Sequence, residues 1–188
     1  MPSILLTAPA AEPLSLAAAK AFLRVEHDDD DDVIGALIAS ARIHAEAQTR
    51  RAFMSQTWRL TLDAWPAEGR LSVRPAPLAA LSAVRVYDDA GNASTVDLQA
   101  FVVDTVGSQL AFAPWALAQP GRSVAGIELD VIAGYGDAAS DVPEPLRHAV
   151  RILVAHWYEN RGLVASGNAG ALPATVAALI APYRVLSL

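Results

Sequence analysis

The stretch at residues 140–161, SDVPEPLRHAVRILVAHWYENR, determines the predicted fold. Asp141 is the predicted N-cap, and the two prolines that follow it suit a first turn, where a missing N–H is tolerated. A helix with this much apolar surface must be covered by other helices or by another subunit. The apolar residues recur at helical spacing, and four of them are the predicted core anchors: Leu146, Val150, Leu153 and Trp157.

The composition narrows the class of protein. Hydrophobic residues make up 53% of the 188 residues and charged residues only 18%, against a usual charged share of about 25%. So few charged residues leave less polar surface than a small monomer usually carries, which favours contacts between subunits. The net charge of −6 argues against a surface that grips duplex DNA. The absence of cysteine excludes disulfides and thiolate chemistry, and we expect neither a secretory signal nor a membrane span.

Two helices are predicted before the first change of pattern. Residues 1–13 are expected to be an extended arm that contains three prolines. Ser15 is the predicted N-cap of a short helix at residues 16–25. An acidic loop follows, and Asp32 at its end is the predicted N-cap of a second helix at residues 33–51.

The pattern after residue 54 predicts a β domain. Residues 57–62 alternate between polar and apolar side chains, as a half-buried strand does. About six or seven short strands punctuated by Gly or Pro indicate a small antiparallel sandwich or barrel at residues 55–136. The predicted fold class is therefore α+β. A bundle of about four helices, from residues 1–54 and 137–188, would carry the β domain as an insertion.

The C-terminal segment at residues 167–188 has two interpretations. A predicted helix at residues 174–181 carries no charge and is too short to be stable alone, so it must lie on an apolar surface. It either folds back onto its own helices or docks on another protein. The residues alone leave both interpretations open, and only the family resemblance given below favours docking. The candidate interface residues are Leu172, Val176, Leu179, Ile180, Tyr183 and Arg184.

The motifs that carry chemistry in other proteins are incomplete here. Asp28, Asp30 and Asp32 alternate like the start of a calcium loop, but that loop needs Gly and Glu where Val33 and Ala39 stand. A solvated loop without metal is therefore expected. The four histidines do not have zinc-ligand spacing, and Ser166 and Ser187 lack the glycines of a nucleophile elbow. We predict no catalytic residue, no cofactor and no metal site.

The ordered set of short motifs resembles one known family, the head–tail connector or adaptor proteins of tailed phages and phage-derived gene transfer agents. The motifs span nearly the whole chain: PLSL at 13–16, DVI at 32–34, IASAR at 38–42, QTW at 56–58, AGYG at 133–136, AHWYENR at 155–161 and PYR at 182–184. Each motif is weak alone. Their order along the chain is what makes the resemblance specific.

The resemblance implies a structural protein in the neck of a virion or phage-like particle. Such a protein forms a ring of about a dozen copies, joins the portal protein to a stopper or tail protein, and surrounds the channel through which DNA passes. It would be assembled in the bacterial cytoplasm, with no membrane and no enzymatic activity. Two alternatives stay open at this point: another tail-completion or virion assembly protein, and a soluble ligand-binding or catalytic domain with an unrecognised pocket.

Overall fold

The computed structural model describes residues 2–160 and 173–185, and these residues form an α+β protein with antiparallel sheets. The chain divides into two compact units: a β unit at residues 1–10 and 55–135, and a helical unit at residues 11–54 and 136–188. No helix in the described ranges combines the length and the apolar character that a bilayer span needs. The helices are α1 (Leu16–Leu23), α2 (Asp31–Thr49), α3 (Glu144–Glu159) and α4 (Ala174–Ile180).

The β unit contains two sheets. Its strands are β1 (Ser3–Thr7), β2 (Gln56–Leu62), β3 (Arg70–Ser72), β4 (Leu78–Tyr87), β5 (Ala93–Thr95), β6 (Phe101–Asp104), β7 (Gln109–Phe112) and β8 (Ile127–Ala133). The five-stranded sheet has the order β1-β2-β8-β4-β5, and the three-stranded sheet has the order β3-β7-β6. One hydrophobic cluster joins residues of both sheets, including Leu60, Val84, Leu129, Leu71 and Leu110. The alternation that predicted β2 places Leu60 in this core.

The N-terminal residues differ from the prediction. We expected an extended arm attached to the helices, but β1 pairs antiparallel with β2, with Ser3 opposite Leu60 and Ile4 opposite Arg59. The run Ser-Ile-Leu-Leu-Thr is uncharged and free of proline, so it can complete a sheet edge. The β unit is therefore assembled from two separate stretches of sequence.

Strand β4 is longer than the predicted strand at residues 83–87. Its pairing with β8 shifts register between Leu78 and Ala80 and again between Leu81 and Ala83. Each shift interrupts the period-two alternation on which the prediction rested, which is why the first half of the strand was missed. The predicted break just before β4 is confirmed, because Arg74, Pro75 and Ala76 precede the strand.

Two predicted helix starts need correction, whereas a third is confirmed. Ser15 caps α1 as predicted, since its Oγ accepts a hydrogen bond from Ala18 N at 3.2 Å. Asp32 lies inside the first turn of α2, and the N-cap position belongs to Asp30. Asp141 is not the N-cap of α3; it belongs to a 3-10 turn, where its carboxylate accepts from Ala138 N at 3.0 Å, and Pro143 occupies the cap position.

The core of the helical unit contains three of the four predicted anchors. Leu146, Val150 and Leu153 of α3 are at most 1% exposed. Trp157 differs from them: it is half-buried, and its ring forms a T-shaped pair with the His44 ring at a centroid distance of 5.8 Å. The last turn of α3 therefore lies at the rim of the core. Buried partners from the other helices include Ile34 and Ile38 of α2 and Val176 and Ile180 of α4.

Candidate assembly surfaces

Helix α4, the predicted docking element, packs against α3 and α2 of its own unit. Val176 and Ile180 are fully buried there, so both residues must be removed from the candidate interface. Leu179 and Tyr183 are half-buried and Arg184 is exposed, whereas Leu172 lies outside the described residues. Helix α4 therefore folds back onto the helices of its own chain, which is the interpretation that we did not favour from the sequence.

Polar contacts attach the segment after α4 to the end of α2. Arg51 Nε donates a hydrogen bond to Tyr183 O at 2.7 Å, and Val185 N donates to Thr49 O at 3.0 Å. These bonds satisfy two carbonyl groups and hold the segment in place. The C-terminal segment and the end of α2 thus form one polar junction.

The acidic loop, residues 28–32, makes polar contacts with helices α1 and α3. Lys20 Nζ of α1 lies 2.6 Å from a carboxylate oxygen of both Asp28 and Asp31, and Tyr158 OH of α3 donates to Asp30 Oδ2 at 2.5 Å. The hydrogen bond from Lys20 lowers the pKa of Asp28. Among the described residues, no group of three or more His, Asp or Glu is placed to hold a metal ion. The carboxylates of Asp28, Asp30 and Asp31 thus contact side chains of α1 and α3 within the helical unit.

A second polar cluster lies deeper in the helical unit. Arg42 is only 7% exposed. Its guanidinium donates to Glu12 and to Glu46, each at 2.8 Å, and Glu46 also accepts from Phe53 N at 2.7 Å. Each buried charge is paired, as the cost of desolvating it requires. The cluster fixes the chain before α1 and after α2 to the middle of α2.

One face of the five-stranded sheet carries a charged network, which we call the charged sheet face: Arg59, Arg85, Tyr87, Glu128 and Asp130. Arg59 Nε and Arg85 donate to the two oxygens of Asp130 at 2.7 and 2.8 Å, and Tyr87 OH donates to Glu128 at 3.0 Å. The hydrogen bond from Arg59, helped by that from Arg85, lowers the pKa of Asp130. Three neighbouring strands are thereby cross-linked on the side away from the core.

The sequence analysis did not single out this charged face. The sequence did contain a pattern that pointed to it. Arg59, Arg85, Glu128 and Asp130 occupy the polar positions of strands in which polar and apolar side chains alternate. What was missing was the order of the strands. The register that places Arg59 opposite Asp130 and Arg85 opposite Glu128 joins parts of the chain about forty or more residues apart.

Large apolar side chains remain exposed on the β unit. The strongest examples are Val106 at 97%, Trp115 at 86%, Val124 at 70%, Val102 at 69% and Ile4 at 58% exposed. Single exposed aliphatic residues are ordinary, but a nearly fully exposed tryptophan is uncommon. The described part of the β unit thus offers apolar contact points that its own core does not use.

The family comparison agrees with the connector resemblance. The model of the phage gp6-like head–tail connector proteins matches residues 13–88. These residues include helices α1 and α2 and strands β2, β3 and β4. No curated protein matches the chain. The match of residues 13–88 to this family confirms the resemblance read from the sequence.

The structural comparison extends this match to the whole chain. A chain in the neck of an empty gene transfer agent particle, computed with C6 symmetry, is 27% identical, with a TM-score of 0.81. Chains in the virion of the native particle and in its neck, computed with C12 symmetry, are 26% and 28% identical, with TM-scores of 0.83 and 0.75. Each match covers 100% of this chain and 97% of the other. This chain has the fold of structural proteins found in those particles.

Proposed function

We propose that this protein is a structural ring subunit in the neck of a phage-like particle. The observation that carries the proposal is the match over the full chain to proteins in gene transfer agent necks, at TM-scores of 0.75 to 0.83. The C6 and C12 symmetries used for those necks support a cyclic assembly. A ring of about a dozen copies, between the portal protein and a stopper or tail protein, is the arrangement we expect.

The chemistry of the chain is compatible with a ring around DNA. A net charge of −6 gives no counterion-release affinity for phosphates, so DNA can pass without being held. A low charged fraction suits a subunit with neighbours. We infer no enzymatic role, and we place assembly of the ring in the bacterial cytoplasm before the neck is completed.

The finer architecture and the interface belong to the same proposal. We propose that the helical unit is a bundle carrying the β unit as a separately folding, sandwich-like or barrel-like domain. Of the candidate interface residues, Leu179, Tyr183, Arg184 and Leu172 remain as proposed contacts to the portal protein or to a neighbouring copy. Tyrosine and arginine are enriched among residues that dominate binding energy, and Arg184 is exposed.

Reconstitution with the portal protein of the same particle tests the proposed function. The purified chain is mixed with portal rings, and the product is weighed by native mass spectrometry and imaged by cryo-EM. We expect about a dozen copies of this chain per portal ring, in cyclic symmetry. A chain that stays unbound at every portal concentration would overturn the neck assignment. Tyr183→Ala with Arg184→Ala, which leaves the buried residues of α4 in place, tests the proposed contacts.

A further inference from the structure

Strands β1 and β5 form the two edges of the five-stranded sheet, and neither contains a buried residue. Every residue of β1 and every residue of β5 is exposed. Each of the other strands in the described chain contains at least one buried residue. Among the described residues, β1 pairs only with β2, and β5 pairs only with β4. Each edge strand is therefore held in its own chain by a ladder on one side.

The open side of β1 offers backbone hydrogen-bonding groups at alternate residues. Thr61 N donates to Pro2 O at 3.2 Å, so Pro2 faces β2, and so does Ile4 two residues further on. Ser3 and Leu5 consequently direct their N–H and C=O groups away from β2. A register shift after Leu5 limits the regular part of this strand to three residues.

Strand β5 has the same arrangement at the opposite edge of the sheet. Val96 N donates to Val84 O of β4 at 3.0 Å, so Ser94, two residues earlier, also faces β4. Ala93 and Thr95 consequently direct their N–H and C=O groups away from β4. Both edges thus present two outward-facing residues with one residue between them, and each regular segment is three residues long.

Apolar, uncharged side chains line the β1 edge. Ile4 is 58% exposed, and Leu5 and Leu6 are each 43% exposed. Residues 2–10 contain no charged side chain, and neither do residues 90–96 around β5. Proteins commonly protect an open sheet edge with lysine or with proline inside the strand. An apolar edge without such residues is an aggregation hazard in a free monomer, so we expect a partner to cover it.

A second copy of the chain supplies the strand that this edge requires. An extended segment completes a ladder of backbone groups, and β5 is the other open edge of the same sheet. Because β1 and β5 are different surfaces, their contact is head-to-tail, which is the arrangement that a cyclic ring repeats. Both segments are uncharged, so the net charge of −6 on each copy is not concentrated where two copies meet.

We propose that β1 of one copy pairs with β5 of the next copy around the ring, so that the five-stranded sheets of neighbouring subunits are joined edge to edge. The inference rests on the proposed function, because that function supplies the cyclic assembly of identical copies. About two to four backbone hydrogen bonds form at each contact. Ile4 and Leu5 lose contact with solvent there, which adds burial of apolar surface to the hydrogen bonds.

Disulfide cross-linking tests the contact directly, because the chain contains no cysteine of its own. Ile4→Cys and Ser94→Cys change the middle residues of the two segments, which lie opposite each other in either strand direction. Paired strands bring such residues within the Cα distance of about 4.4–6.8 Å that a disulfide needs. The variants are assembled on the portal rings, weighed by native mass spectrometry, oxidised, and separated by denaturing electrophoresis without reductant.

The pattern of cross-linked species distinguishes a head-to-tail contact from other contacts. The double variant, Ile4→Cys with Ser94→Cys, should give a ladder that extends to about a dozen chains. A mixture of the two single variants should stop at dimers, and each single variant alone should stay monomeric. The control is Ile4→Cys with Val106→Cys, which should give no ladder. Val106 is 97% exposed but lies in the β6–β7 turn near the Leu78 end of β4, whereas β5 pairs at the Tyr87 end.

Leu5→Pro tests the contact without a cross-link. The Leu5 N–H points to the open edge, so proline removes one donor to the neighbouring copy and keeps the ladder with β2. We expect about tenfold weaker association between copies and an unchanged melting temperature of the free chain. Leu5→Ala is the matched variant, because it keeps the N–H, and it should weaken association less.

The outcomes separate this inference from the proposed function. Rings of the expected mass in which the double cysteine variant gives no ladder overturn the contact between β1 and β5 and leave the ring assignment in place. Dimers formed by Ile4→Cys alone would show that β1 meets β1 of another copy, which also overturns the inference. A wild-type chain that does not assemble with the portal protein defeats both proposals.

Discussion

The two units place apolar side chains in opposite ways. In the helical unit, the uncharged helix α4 turns Val176 and Ile180 into the core of its own chain. In the β unit, the loop at residues 113–126 is tied down by internal hydrogen bonds but leaves Trp115 exposed. An apolar sequence indicates that its side chains favour burial. Only the packing shows whether the same chain buries them.

Removal of α4 should have the largest effect, and it tests whether α4 belongs to the core of its own chain. A chain ending at residue 172 loses two fully buried aliphatic side chains, Val176 and Ile180, which contribute about 3–6 kcal/mol by burial alone. We expect the helical unit to lose cooperative thermal unfolding, followed by circular dichroism at helical wavelengths. The control is Arg184→Ala, which changes an exposed residue and should leave the melting temperature unchanged. A truncated chain that melts like wild type would show that α4 belongs to an interface after all.

The second largest effect should come from truncating side chains of α3, where the middle and the end of the helix are expected to differ in their contribution to stability. Leu153 is 1% exposed, so Leu153→Ala should lower the free energy of unfolding by about 2–5 kcal/mol. Trp157 is half-buried beside His44, and its truncation to alanine should cost only about 2 kcal/mol. Chemical denaturation of both variants measures the two values. Equal losses would place Trp157 in the core, as the sequence pattern indicated.

The smallest effect concerns the charged sheet face. Because the pKa of Asp130 is lower in the folded protein, its ionised form stabilises the β unit above the unfolded pKa of about 3.9. That stability is lost as the pH falls through the folded pKa. Asp130→Asn should therefore cost about 1 kcal/mol at neutral pH and nothing additional in strong acid. A difference between variant and wild type that stays constant with pH would exclude this ionisation as the cause.

The sequence predicted the presence of helices and strands better than it predicted where they end or how the strands pair. Helical spacing located α3, and alternation located β2, because both patterns record which side chains are buried. The cap of α3 was misplaced because Asp141 and Pro143 are both plausible starts, and only the 3-10 turn at Ala139–Asp141 distinguishes them. The register shifts in β4 likewise leave no pattern in the sequence.

The candidate surfaces were harder to predict than the fold. Leu117, two residues after Trp115, is buried whereas Trp115 is exposed, and composition does not show which of two apolar residues in one short turn points inward. The charged sheet face depends on bringing Arg59 of β2 beside Asp130 of β8. Both features arise from contacts between distant parts of the chain, so local patterns do not contain them.

The position of β1 has a consequence for the order of folding. Its partner β2 begins only at Gln56, and helices α1 and α2 lie in the chain between the two strands. Closing a long loop costs conformational entropy, so pairing between strands that are distant in sequence is slow. We therefore expect α1 and α2, which are close in sequence, to pack against each other before β1 pairs with β2.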